Sequence, residues 1–183
     1  MPISVYIDNN VWDFLFERKI DLSLELPRDE FCLCLTREAE FEIATIPPGK
    51  VDPQFIEETV RKCTIEVRPY FGFYDENHSP AEQRVSGFDQ GYWASREELA
   101  FIDQQKTRLG EVKKPKTGLY TNEADISFAA RAFQSAVLTL DNKGPINDAY
   151  KQGGKVVFLN DFDARGLSLK DFIKMHISIA DRL

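Results

Sequence analysis

The run Val5-Tyr6-Ile7-Asp8-Asn9-Asn10 constrains this chain more than any other stretch. A short apolar segment that ends in an acid and passes at once into a helix-start signal reads as a buried strand carrying Asp8 to its C-terminal tip. Open parallel sheets place their ligand sites along that edge. Val137-Leu138-Thr139-Leu140-Asp141-Asn142 repeats the form late in the chain. Two such strands in one parallel sheet bring Asp8 and Asp141 to the same edge, and so to one cleft.

The segments between them alternate. After Asp8, the spacing of Val11, Phe14, Leu15 and Arg18 predicts a helix with Asn9 or Asn10 as its cap. Phe31 to Leu35 reads as a second buried strand, with Cys32 and Cys34 on one face, and Thr36 to Ile43 as the helix after it. Pro47-Pro48-Gly49 ends that helix, and Asp52-Pro53 caps and opens another. Thr64 to Val67 alternates like a strand. Further on, Thr121 or Asn122 caps a helix with Asp125 in its first turn and Ile126, Ala129, Ala130 and Phe133 as its buried stripe. Strands Val137 to Leu140 and Lys155 to Leu159 follow, separated by a short helix ending at Gly153-Gly154, and Ser168 to Asp171 resembles a capping box for a last helix. This order predicts an α/β protein, a three-layer α/β/α arrangement on a mostly parallel central sheet.

Residues 69–121 break the rhythm. They hold an aromatic piece, Tyr70 to Tyr74, two capping boxes at Ser79 to Glu82 and Ser95 to Glu98, a helix predicted over Arg96 to Arg108, and Gly110 as its stop. We read them as a helical insertion in a single domain, since 183 residues at 43% hydrophobic content fit one core.

A formal net charge of −7 argues against a protein that coats nucleic acid by bulk electrostatics. Lys113, Lys114 and Lys116 form the one basic cluster in the sequence and are the candidates for a nucleic-acid contact. Three cysteines make no disulfide framework, and no segment has the form of a signal peptide or a membrane helix, so a cytoplasmic protein with no membrane partner is expected. His78 and His176 fit no metal-ligand or triad spacing.

Four acids can meet in this topology: Asp8, Glu40 after the second strand, Asp125 and Asp141. Glu38 and Glu42 share a helical face that Glu40 does not, and a shifted helix start would put either in its place. Each acid also has a plain structural reading, as a cap, a first-turn carboxylate or a turn residue. Carboxylates about 4–5 Å apart repel by roughly 4 kcal/mol at an effective dielectric of about 20, so a cluster of them calls for a cation. An all-oxygen set suits Mg²⁺ or Mn²⁺.

These residues resemble the PIN-domain nucleases. The matching pieces are the first strand ending in Asp8 before a helix, Glu40 after the second strand, Asp125 opening an Ala-rich helix, and Thr139-Leu140-Asp141 for the family's T-x-D. The likeness covers both ends of the chain and leaves out residues 69–121. It implies a Mg²⁺- or Mn²⁺-dependent ribonuclease with Asp8, Asp125 and Asp141 as metal ligands, Glu40 as a fourth catalytic acid, and Thr139 and Asn9 supporting them by hydrogen bonds. It also implies RNA as substrate, a toxin's role with an antitoxin protein as partner, and leaves a homodimer open. A haloacid-dehalogenase-type phosphatase fits less well, because Asn10 stands where a second acid is wanted. A receiver-like domain lacks its third-strand Asp and downstream Lys. A PIN-like scaffold that binds RNA or protein without cutting is the alternative from outside the enzymes.

Overall fold

The computed structural model of the chain describes residues 1–46, 51–76 and 78–180. The helix-breaking Pro47-Pro48-Gly49 lies outside the described residues. In chain order the elements are β1 (Ile3–Ile7), α1 (Val11–Arg18), α2 (Leu22–Glu25), β2 (Phe31–Leu35), α3 (Arg37–Ile43), α4 (Pro53–Cys63) and β3 (Glu66–Val67). The insertion holds β4 (Tyr70–Phe71), β5 (Val85–Ser86) and α5 (Arg96–Gln105). The chain then runs through α6 (Glu123–Ala130), β6 (Ala136–Thr139), α7 (Gly144–Lys151), β7 (Val156–Phe158), α8 (Phe162–Arg165) and α9 (Leu169–Ala180).

Five strands form one parallel sheet in the order β3-β2-β1-β6-β7. Side chains alternate across each strand, so Val5 and Ile7 join the core under α1, α4 and α9, while Tyr6 and Val137 join the other, under α5, α6 and α7. Both faces are covered, which is why these strands read as continuous apolar runs. The architecture is three-layer α/β/α.

Strand order reverses between β1 and β6, the point where the crevice of an open parallel sheet forms. The register pairs Tyr6 with Val137 and Ile7 with Leu138, and the Asp8 amide extends it by donating to the Leu138 carbonyl at 3.0 Å. Asp8 and Thr139 therefore leave the sheet side by side.

The insertion is not purely helical. β4 and β5 make a separate two-stranded parallel sheet, and the predicted helix stops as α-helix at Gln105 before a 3₁₀ turn over Lys106–Arg108. Both capping boxes are formed, on the 3₁₀ turn Pro80–Glu82 and on α5. Among the described residues no helix is long and apolar enough to cross a membrane.

Candidate functional site

The cleft at the reversal point holds about 190 Å³, and Asp8, Asp125 and Asp141 all line it. They arrive from β1, the first turn of α6 and the turn after β6. Arg108, Lys143 and Asn122 stand in the same walls, over an apolar floor that includes Phe128 and Ile146.

Asp8 is held most firmly. Its Oδ2 accepts hydrogen bonds from the Thr139 hydroxyl at 2.6 Å and from Asn10 Nδ2 at 2.7 Å, and its Oδ1 accepts one from the Asn9 amide at 2.7 Å. Burial nevertheless pushes its carboxyl up to about 6; the bonds from Thr139, Asn9 and Asn10 work the other way, and the charge of Asp125 adds to the rise.

Thr139 is fully buried and uses its whole hydroxyl. While donating to Asp8, it accepts from the Asp141 amide at 2.9 Å and from Asn10 Nδ2 at 3.2 Å. One hydroxyl thus ties both strand tips together, the physical content of the T-x-D spacing. The Asn10 side chain closes the link by accepting from the Leu140 amide at 3.0 Å.

The two asparagines are not caps. Asn10 sits at the N-cap of α1 without a side-chain cap bond, because its amide serves Asp8, Thr139 and Leu140. Asn9 donates to Glu42 Oε2 at 3.0 Å and to the Ala39 carbonyl at 3.4 Å. Among the described residues its Oδ1 is buried with no hydrogen-bond partner. At α6 the N-cap is Asn122, in a left-handed conformation that asparagine tolerates, and its side chain goes to the Arg108 carbonyl at 2.8 Å instead of to the helix.

Glu40 is the expectation that fails on position. Its carboxylate pairs with Arg37, whose guanidinium also reaches the Ala81 and Gln83 carbonyls, and it lines a separate hollow with Tyr74 and Pro80. The cause is helical phase. Positions 38 and 42 share a face of α3 and position 40 does not. Glu38 turns inward, is buried, and accepts from the Ser127 hydroxyl at 2.9 Å, with burial raising its pKa. Glu42, one turn on, is the α3 acid that reaches the site. Asp125 feels it: its pKa is raised first by the protein walls that displace water around it, then by the charge of Glu42, and to a lesser degree by Asp141, with Lys114 opposing.

The three lysines divide. Lys114 Nζ lies 3.5 Å from Glu42 Oε1, so its ammonium stands against the acids. Lys113 Nζ meets His78 Nε2 at 2.9 Å, a contact within the insertion, and Lys116 is exposed. His176 meets the Phe172 carbonyl of its own helix. Arg108 and Lys143, absent from the sequence reading, line the cleft itself, and Arg108 is anchored on Asp148 at 2.7 Å.

The oxygen donors suit a hard divalent cation by type: three carboxylates on one cleft, Glu42 beside them, and the unpaired Asn9 Oδ1 next to Asp8. Among the described residues no group of three His, Cys, Asp or Glu side chains is gathered as a ready-made ion site. Lys114 fits the same electrostatic demand, a positive charge beside Glu42 that opposes the rise in the Asp125 pKa. Comparison with protein-family models, with curated proteins and with solved structures gave no match.

Proposed function

We propose that the chain is a metal-dependent nuclease of the PIN kind that hydrolyses RNA phosphodiester bonds. The observation that carries this reading is the meeting of Asp8, Asp125 and Asp141, from three separate elements, in one cleft at the reversal point of a parallel sheet. These three would hold Mg²⁺ or Mn²⁺, with Glu42 taking the part the sequence reading gave to Glu40. A bound ion supplies an acidified water and neutralises charge on the scissile phosphate.

The chain's own groups do the rest. Thr139 and Asn10 fix the carboxylate of Asp8, and Thr139 fixes the backbone that presents Asp141. Arg108 and Lys143 in the walls offer donors to phosphates flanking the cut, which lets an acidic chain hold a polyanion at one place. A toxin held by a cognate antitoxin is the biological setting this reading brings with it.

The Lys114 ammonium already standing against Glu42 favours a second reading, a PIN-like scaffold that binds RNA without cutting it. End-labelled unstructured RNA incubated with Mg²⁺, Mn²⁺ or a chelator separates the two. Cleavage by wild type with either ion, absent with chelator and absent in Asp8→Asn, supports the nuclease. Ion-independent retention of intact RNA by wild type supports the scaffold.

A further inference from the structure

The insertion carries a surface that the acid cleft does not use. Phe71 stacks on Trp93 with ring centroids 4.1 Å apart and also meets Phe88 at 4.9 Å and Phe73 at 6.2 Å. The outer three rings face solvent, with Trp93 at 74%, Phe88 at 75% and Phe73 at 87% exposure. Isolated apolar side chains on a surface are ordinary, but a contiguous aromatic cluster left in water marks an interaction site.

Its scaffold is hydrogen-bonded backbone. The Phe71 amide donates to the Tyr92 carbonyl at 2.8 Å, the Tyr92 amide to the Pro69 carbonyl at 2.9 Å, and the Gly72 amide to the Ser86 carbonyl at 3.2 Å. Gly91 lets these segments close, because a Cβ there would lie 2.6 Å from both the Phe71 Cα and the Ser86 carbonyl oxygen. The rings are thereby held in place before anything binds, which lowers the entropic cost of using them.

Charge selects the occupant. Glu76 lies two residues beyond the exposed Tyr74, Asp89 directly follows Phe88, and both acids are exposed, while Asp75, between Tyr74 and Glu76, already meets His78 Nδ1 at 3.2 Å. The cation beside the rings is already matched, since Arg68 pairs with Glu66 at 2.8 Å while lying over the Tyr92 ring. A single strand of nucleic acid would want these rings, yet it also needs a cationic track for its backbone. A second copy of the chain would set the same acids against one another. We propose that the Phe71-centred cluster is a docking surface for a protein segment that presents apolar or aromatic side chains among lysines and arginines. Aromatic residues are enriched in such interfaces and supply most of their energy.

The chain contains its own reporter. Of its two tryptophans, Trp12 is fully buried and Trp93 is exposed, so a change in emission on binding reports the cluster. The intact protein is titrated with a short peptide alternating leucine and lysine, with its leucine–glutamate counterpart, and with oligouridylate. A saturable blue shift with the lysine peptide alone is expected. The double variant Phe73→Ser, Phe88→Ser, which keeps the net charge and removes only exposed rings, should weaken that binding at least roughly tenfold, read by calorimetry. Equal binding by the double variant would reduce the effect to bulk charge and overturn the proposal. A response to oligouridylate without one to the peptide would make the surface a nucleic-acid platform, and a blue shift on concentrating the protein alone, with a dimer in sedimentation, would make it a self-association face. Silence toward all three probes also overturns it.

Discussion

The two strand tips that share a sequence form do not share a physical state. Asp8 after β1 is caged by Thr139, Asn10 and the Asn9 amide, and burial lifts its pKa. Asp141 after β6 is exposed, and its Oδ1 accepts from the Lys143 amide at 3.0 Å, as a turn residue does. An acid at a strand tip is thus defined by its neighbours more than by the motif. The inner one is buried and costly as an anion, whereas the outer one stands in solvent. The Thr139 hydroxyl joins them, so each tip depends on the other.

The sharpest break of this comparison is to neutralise each tip in turn. Asp8→Asn should lower metal-dependent RNA cleavage by roughly a thousandfold or more, the scale of removing a group aimed at developing charge, and Asp141→Asn by about tenfold to a hundredfold. Single-turnover rates measure both, and equal losses would erase the distinction. Thr139→Val, which keeps shape and removes the shared hydroxyl, should cost about 1–3 kcal/mol in denaturant unfolding by stranding the bonds it makes, while Thr139→Ser restores them. If valine costs nothing, the tips are not coupled.

A smaller effect is expected from pH. The folded-state pKa of Asp8, about 6, lies above its ordinary value of 3.8, so the folded protein keeps this proton longer than the unfolded chain. Stability from this group is therefore full below about pH 4 and is lost as pH rises toward 6, by about 3 kcal/mol at 1.36 kcal/mol per unit. Relative to wild type, Asp8→Asn should gain stability across that window and hold the gain at neutral pH. Melting curves of both proteins in chelator check it, and a gap that shrinks with rising pH has the wrong sign. Least of all, Glu40→Gln should leave cleavage unchanged, because Glu40 faces Arg37 and the insertion.

Much of the fold was legible because strong periodicity needs little context. Short apolar runs such as Val5 to Ile7 and Val137 to Leu140 read as buried strands, the second ending one residue early at Thr139, and Ser95 to Glu98 announced α5 through a local bond pattern. The site was legible where residues act from strand tips, whose direction the sheet fixes, as with Asp8, Thr139 and Asp141. On α3 it was not, because each residue of phase swings a carboxylate by about 100°, so two residues put Glu42 beside Asp125 and turn Glu40 toward Arg37. Asn10 reads as a cap in sequence because a cap and a carboxylate partner use the same side chain, and only the Thr139 contact tells them apart. Arg108 and Lys143 gave no signal at all, since nothing local says that a 3₁₀ turn and the loop after β6 face one cleft. The short strands β4 and β5 escaped notice because two residues carry no period.

In the proposed function the carboxylates of this cleft are there to share a cation. Calorimetric titration of the metal-free protein with Mn²⁺, wild type beside Asp8→Asn at neutral pH, tests it without any substrate. Saturable binding by wild type, a rise in its melting temperature with added Mn²⁺, and loss of both in Asp8→Asn are expected. Absence of Mn²⁺ binding by wild type, or equal binding by Asp8→Asn, would contradict it and leave Asp8, Asp125 and Asp141 as three separate structural acids.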